Sequence, residues 1–430
     1  MSKIKYNYDY LHRGERILAN GVSVSNDTHL TGLNNNDMII GPSGSGKTGG
    51  YIIPNLQNPD GSIIVSDTKG RLSKMFSADL KAKGYKVSVL DFVNPKKSVA
   101  YNPLGYIRRY SDGRINEQDV STLSAMIHPI TKQNDIYWDL SARRYISLLI
   151  GFVLETEYMD NSIATMKRVA AIHRLCRDGK GVEIINKFAA LNPDSFTSKM
   201  LGAFGNMSDI PKTWNCILDT ASNSIYLFDY EEFSPIFGKG KTYDLTKIAR
   251  EKTVFFLNVS DTDSSMDIFT TLFHSQVFHS LISYADSKPN GVLPIPVRMI
   301  LDDFAASTVI DNFDKLISVI RSRELSVSII LQSISQLESI YSKPEASTII
   351  NNCDHILYLG GHDLDTADFM SAHANKPRNT IMCMPHTHAY LLTEGQPARF
   401  VERIKPYSTL VDEKNEVKSK SKERDDKEER

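Results

Sequence analysis

The sequence has little net charge, few cysteines and no long apolar run, and each shortage removes a class of protein. Its 50 basic and 51 acidic side chains leave a formal charge of −1 over 430 residues, so no overall basic field draws the chain onto nucleic acid and any such contact must be local. Cys176, Cys216, Cys353 and Cys383 stand without paired spacing. That excludes a disulfide framework and fits reduced thiols in a cytoplasm. The most apolar stretch, Tyr145 to Leu154, is closed by Arg143-Arg144 and Glu155 and falls well short of the roughly 20 residues needed to span a bilayer. The opening MSKIKYNYDYLHRGERILAN has no apolar core before a cleavage site, so no signal peptide or anchor is expected there. Internal repeats and long Gly/Ser-rich linkers are also missing.

What is present is an α/β pattern. Short branched runs alternate with helical stretches before residue 105 and after residue 250, as in strand–helix–strand units of a mostly parallel sheet. The expected strands are Asp37–Ile40, Ser62–Ser66, Lys86–Leu90, Thr253–Val259, Val297–Leu301, Ser326–Leu331 and His355–Leu359. Between them the apolar period changes to three and four, as in Trp138, Ala142, Tyr145, Leu149 and Phe152. The expected organisation is a nucleotide-binding domain in two parts, 1–105 and 238–406, interrupted by an all-α insert, 106–237. A tail, 407–430, has dense mixed charge and almost no apolar residues, which predicts disorder.

The stretch IIGPSGSGKTGG carries the chemistry. Gly41, four residues, then Gly46-Lys47-Thr48 is the full phosphate-loop pattern, here after a strand and before a helix. Gly41, Gly44 and Gly46 let the backbone curl, with Ser43 and Ser45 between them, so that N–H groups converge on an anion at the positive end of the helix. Lys47 would reach the β- and γ-phosphates of ATP, and Thr48 would ligate Mg2+ through its hydroxyl. The partner motif is a strand ending in carboxylates, and VRMILDDFAAS supplies one, apolar except for Arg298. Asp302 would hold magnesium through water, and Asp303 would polarise the attacking water as general base.

Seven stretches in order resemble the coupling-protein ATPases of type IV secretion and conjugation. They are GPSGSGKTGGYIIPNL, SIIVSDTKGRL, VSVLDFVNPKKSVAYNPL, IYWDLSARRYISLLI, MILDDFAAS, LISVIRSRELSVSIILQSISQLESIY and IINNCDHILYLGGHDLDTADFMS. The resemblance implies a RecA-like P-loop NTPase fold with an all-α domain inserted, a hexameric motor, and relaxase-bound, single-stranded DNA as the cargo passed to the secretion channel. It also implies Gln332 as a glutamine sensor and Arg321, the first arginine of RSR, as the finger that a neighbouring subunit inserts. The duller readings are a strand-end residue for Gln332, and pairing of Arg321 or Arg323 with Glu324 or Asp314 on a solvated helix.

The sequence departs from this family twice. No membrane-spanning helices precede the phosphate loop, so the expectation is a cytoplasmic protein held at the membrane by partners. Asp303 stands where the family carries glutamate. A carboxylate one methylene shorter sits over about 1 Å further from its water, a misplacement able to slow a reaction on the order of a hundredfold.

Competing functions are a nucleotide-dependent receptor for the relaxosome with little hydrolysis, and a DNA translocase of the FtsK type, against which the long helical insert argues. Other motifs carry less. Cys383, His386 and His388 lack a fourth ligand for zinc, and Trp138 with Arg143-Arg144 reads as core packing before it reads as a DNA contact. In Asp67-Thr68-Lys69-Gly70, Lys69 is either a nucleotide or DNA contact or a plain turn residue.

Overall fold

The structure, a computed structural model, describes residues 14–405 apart from 69, 131–135, 161–162, 206–210, 241, 261–263 and 305–308. The expected charged tail, 407–430, and Lys69 lie outside the described residues. The strands are β1 (Glu15–Ala19), β2 (Val22–Ser25), β3 (Asp37–Ile40), β4 (Ser62–Asp67), β5 (Lys86–Asp91), β6 (Thr253–Asn258), β7 (Val297–Leu301), β8 (Leu325–Leu331), β9 (His355–Tyr358), β10 (His388–Thr393) and β11 (Arg399–Glu402). Nine of them form one sheet in the order β11-β10-β9-β3-β8-β7-β4-β6-β5.

The seven expected strands are β3 to β9, and all of these pair in parallel. A parallel sheet is covered on both faces, so its strands read as continuous apolar runs. Successive residues divide between two cores. Met38, Ile40, Ile64, Phe255, Leu257, Met299 and Val327 face the larger one. Ile39, Ile63, Val65, Val254, Phe256, Ile300 and Ile330 face a second core, completed by the helices Ile53–Gln57 and Leu72–Ala82.

Four strands were absent from the expected set. β1 and β2 form a hairpin whose register closes at Ala19 opposite Val22, around Asn20-Gly21. Gly21 takes a positive φ of 64° at the turn, which glycine adopts without side-chain strain. β10 and β11 add an antiparallel edge beside β9. Their runs, HAYLLT and RFVE, are short and mixed, as edge strands often are.

Between β5 and β6 the described residues form helices, with one isolated bridge, Arg109 to Ile115. The helices Glu117–Ile127, Met166–Arg177 and Phe196–Gly202 begin at Asn116, Thr165 and Ser195, whose side chains accept from backbone N–H groups of the first turn. They and Pro211–Ile225 surround the long helix Ile136–Asp160. Phe196 packs so closely on this helix at Gly151 that a Cβ there would lie 2.4 Å from its ring. Trp138 is half-buried against the same core, edge-on to Tyr137.

Where these helices meet the sheet, five phenylalanines interlock. Phe269, on the helix Asp267–Asp286, has its ring centroid 4.9 Å from that of Phe92, 4.8 Å from Phe237, 5.1 Å from Phe228 and 5.2 Å from Phe233. At the opposite, amino-terminal end of the strands lies a buried charge cluster. Asp37 accepts from Arg16 Nε at 2.9 Å, from Arg298 Nη1 at 3.3 Å and from the Tyr51 hydroxyl at 2.5 Å.

Candidate nucleotide site

The parallel register sets which residues emerge together at the carboxyl ends of the strands. Ile40 lies beside Leu331, and Leu301 beside Ile329. The turns that follow β3, β7 and β8 therefore leave the sheet side by side, carrying the phosphate loop, Asp302-Asp303 and Gln332. Ligands of open α/β sheets bind at this edge.

The loop begins where the Gly41 N–H donates to the Leu331 carbonyl at 3.1 Å. The Ser45 N–H closes a turn on the Pro42 carbonyl at 3.1 Å, with Ser43 exposed on its outside. Gly44 and Gly46 have φ of 79° and 90°, a region costly for a side chain. Gly41 is needed for a different reason: a Cβ there would lie 2.6 Å from Ser45 Oγ and 2.9 Å from Leu359 Cβ. A wide helical turn, Thr48–Ile52, follows and runs into Ile53–Gln57. Tyr51, Ile52, Ile53 and Leu56 fasten it to the sheet.

Lys47 folds back into this loop. Its ammonium donates to the carbonyls of Gly41 at 2.6 Å and Pro42 at 3.1 Å. Burial lowers its pKa below the ordinary value, while the neighbouring Asp303 and Asp302 pull the other way. The buried Asp302 carboxyl is pushed up to about 7, first by desolvation and then by the charge of Asp303, with Lys47 opposing. Asp302 also accepts from the Asp303 N–H at 3.1 Å. Asp303 has φ of 49°, in the left-handed region, which aspartate tolerates better than most side chains.

The donors fit a magnesium nucleotide better than a metal held by protein alone. Among the described residues no three His, Cys, Asp or Glu side chains gather as a metal-binding set. Magnesium in nucleotide sites takes only one or two protein oxygens, and the Thr48 hydroxyl with the Asp302 carboxylate would provide them. The Ser45 hydroxyl is buried with no hydrogen-bond partner, as suits a loop shaped to receive an acceptor-rich anion.

Gln332 is exposed directly after β8, level with Gly41, and its backbone N–H donates to Gln336 Oε1 at 3.1 Å. Arg321 is not brought to this edge. It stands before β8, so a seven-residue strand of about 23 Å separates it from Gln332. Its guanidinium donates to the Gly32 carbonyl at 2.9 Å. Arg323 pairs with Asp286 at 2.8 Å rather than with Glu324 or Asp314, because the turn Arg321–Arg323 points it toward the end of the helix Asp267–Asp286. Asp67, at the tip of β4, accepts from the N–H groups of Arg71 and Ser73 and so caps the following helix. His388 stacks on Phe400 with ring centroids 4.7 Å apart.

One residue at the site carried no sequence signal. Arg403, just past β11, donates to three carbonyls, those of Ser45, Leu359 and His388. Its contact with the loop spans most of the chain, so no local pattern could announce it.

A doubly covered parallel sheet, with a glycine-built loop after β3 and paired carboxylates after β7, defines a P-loop NTPase of the RecA-like kind. The chain matches the family model described as type IV secretory system conjugative DNA transfer over residues 6–375. It belongs to that family. It is 22% identical over 343 residues to the conjugal transfer protein TraG of Rhizobium radiobacter, covering 78% of this chain and 51% of that one. Over all, the chain spans about half the length of the curated relatives it matches. Among solved structures it resembles the plasmid coupling protein TrwB in complex with the non-hydrolysable ATP analogue ADPNP, with a TM-score of 0.69, 15% identity and coverage of 91% and 89% of the two chains. TrwB in complex with ADP and Mg2+ gives a TM-score of 0.66 at 15% identity, covering 90% and 88%.

Proposed function

We propose that this chain is the ATPase coupling protein of a type IV secretion or conjugation system, using ATP hydrolysis to recruit relaxase-bound DNA and deliver it to the transfer channel. The convergence of Lys47, Asp302 and Asp303 at the ends of β3 and β7, the two strands that flank β8, in a chain of this family, carries the reading. Lys47 exchanges its two carbonyl partners for the β- and γ-phosphates, and the loop N–H groups of Gly44, Gly46, Lys47 and Thr48 surround them. Thr48 and Asp302 would hold Mg2+, which when bound neutralises the charge on the β- and γ-phosphate oxygens. The nucleotide complexes of TrwB support these ligands. Asp303 accepts the hydrogen of the attacking water, and Gln332 orients the water or the γ-phosphate.

The position of Arg321, at the far end of β8 from its own loop, supports a role at a neighbouring subunit's site, and with it a hexameric ring. The division into 1–105, 106–237, 238–406 and 407–430 belongs to the same reading. No helix among the described residues is long and apolar enough to cross a membrane, and attachment at the cytoplasmic membrane through channel partners is part of the proposal.

ATP turnover measured with and without single-stranded DNA, alongside the mass of the assembly, tests it: stimulation by DNA in an oligomer is expected, and no turnover in an assembled sample would reject the motor. One observation favours a second reading, a relaxosome receptor with little hydrolysis. Asp303 combines a short side chain with a left-handed backbone, which limits where its carboxylate can reach.

A further inference from the structure

The Ser45–Gly46 peptide lies at the crown of the phosphate loop, and Arg403 is bonded to its carbonyl. The guanidinium Nη1 is 3.3 Å from Ser45 O, while Nη2 donates to Leu359 O and Nε to His388 O. Among the described residues no carboxylate lies within ion-pair distance of Arg403, and it is half-buried. A desolvated guanidinium satisfied only by main-chain carbonyls keeps its full charge and fixes three peptides at once, since its planar fork holds each donor in direction. The anchorage is firm. The Arg403 N–H donates to Thr387 O, the Asn20 N–H donates to Glu402 O, and a Cβ at Gly50 would come within 3.3 Å of Ile404 O. The segment after β11 is thus seated against the first turn of the phosphate-loop helix.

In a trans peptide the C=O and the following N–H point in opposite directions. With its oxygen on Arg403, the Ser45–Gly46 peptide turns the Gly46 N–H away from the Arg403 side. Gly46 adopts φ of 90° there, a conformation in which glycine has little to hold it in place by itself. A charge-assisted bond to the carbonyl also polarises the amide and strengthens its N–H as a donor.

We propose that Arg403 is a positioning residue that orients the Ser45–Gly46 peptide, so that the phosphate loop presents the Gly46 N–H to a nucleotide's phosphates. The proposal rests on the reading of the loop as an ATP site and assigns part of that site to a residue after the last strand of the sheet. Arg403 itself touches no phosphate.

Equilibrium binding of ATP with Mg2+, by titration calorimetry on the full chain, tests it with Arg403→Ala, Arg403→Gln and Arg403→Lys beside the wild type and Lys47→Ala. Affinity should fall about tenfold or more in the alanine variant, less in the glutamine variant, and recover partly in the lysine variant, which keeps the charge but loses the fork. Thermal unfolding separates positioning from plain stability. A positioning role shrinks the rise in midpoint caused by ATP, whereas a structural role lowers the midpoint without nucleotide and leaves that rise intact. Wild-type affinity in Arg403→Ala, an unchanged ATP-induced rise, or loss of the fold in all three variants would each overturn the assignment. Failure of the wild type to bind ATP would overturn the reading of the site instead.

Discussion

Arg143 holds Asp311 at 3.2 Å while its Nε donates to the His128 carbonyl at 2.7 Å. The first partner belongs to the segment that leaves the site after Asp303, and the second to the helical layer. His128 is itself held between Ser224 at 2.8 Å and Asp139 at 3.0 Å. The sequence read Trp138 with Arg143-Arg144 as core packing before a nucleic-acid contact, and the structure gives Arg143 these two intramolecular partners. Arg143→Ala should therefore reduce the ratio of DNA-stimulated to basal ATP turnover severalfold. A partly exposed pair of this kind is worth about 1 kcal/mol or less, so a large fall in unfolding midpoint would count against a coupling role.

Asp302 sets a pH dependence. The unfolded chain releases this proton near 3.8 and the folded chain only at about 7. Between those values the folded state binds more protons, so without nucleotide the contribution of Asp302 makes stability fall as pH rises toward 7 and level off above it. Magnesium needs the carboxylate, so Mg2+-dependent ATP binding should rise through the same range. Unfolding midpoints of wild type and Asp302→Asn from pH 5 to 8 would show the first effect as a difference that widens in favour of the asparagine variant up to about pH 7 and then levels off, and parallel curves would refute it.

Arg321 and Lys47 can be tested together. Each alanine variant alone should be nearly inactive, because a finger from a partner subunit is worth orders of magnitude in rate. In an equal mixture roughly a quarter of the interfaces of a ring would pair an intact loop with an intact arginine. Partial recovery of turnover is expected on mixing. Continued inactivity despite demonstrated subunit exchange would place the finger elsewhere.

Asp303→Glu sets reach against backbone strain. The longer side chain restores about 1 Å of reach, worth up to about a hundredfold in rate, or roughly 2.7 kcal/mol. Glutamate at φ of 49° is penalised relative to aspartate by about 1 kcal/mol or less. Turnover should hold or rise while stability drops slightly, and Asp303→Asn should nearly abolish turnover. A normal rate in the asparagine variant would remove Asp303 as the base.

Asp37 counters two buried guanidiniums. Burial by itself would raise its pKa, but Arg16 and Arg298, with His355 and Tyr51, bring it below the ordinary value. Removing that charge leaves Arg16 and Arg298 uncompensated, so Asp37→Asn should lose about 3–5 kcal/mol of unfolding free energy in urea. A loss below 1 kcal/mol would mean the cluster is compensated by other groups.

The loop and β3 to β9 were readable because their signals are local. Strands buried on both faces are continuous apolar runs, and the loop's glycines follow one another at fixed spacing. Asn20-Gly21 was an equally local hairpin signal, hidden by the polar and mixed residues around it. Arg298 showed only as a charge within an apolar strand, since its partners Asp37 and Asn35 lie on or before another strand. Arg403 and the pair Arg143–Asp311 were out of reach of any window, because they exist only once distant segments have folded together.

The ring of phenylalanines around Phe269 decides what kind of motion the helical layer can make. Interlocked aromatic faces resist small displacements and give way only by parting, so they do not act as a hinge. If nucleotide exchange moves the helices, those near Phe92 and Phe237 must travel with the sheet as one lever arm, and bending must fall farther out along the layer. The direction of a working stroke would then be fixed by the sheet's orientation within an assembly, with the helices lengthening the stroke without steering it.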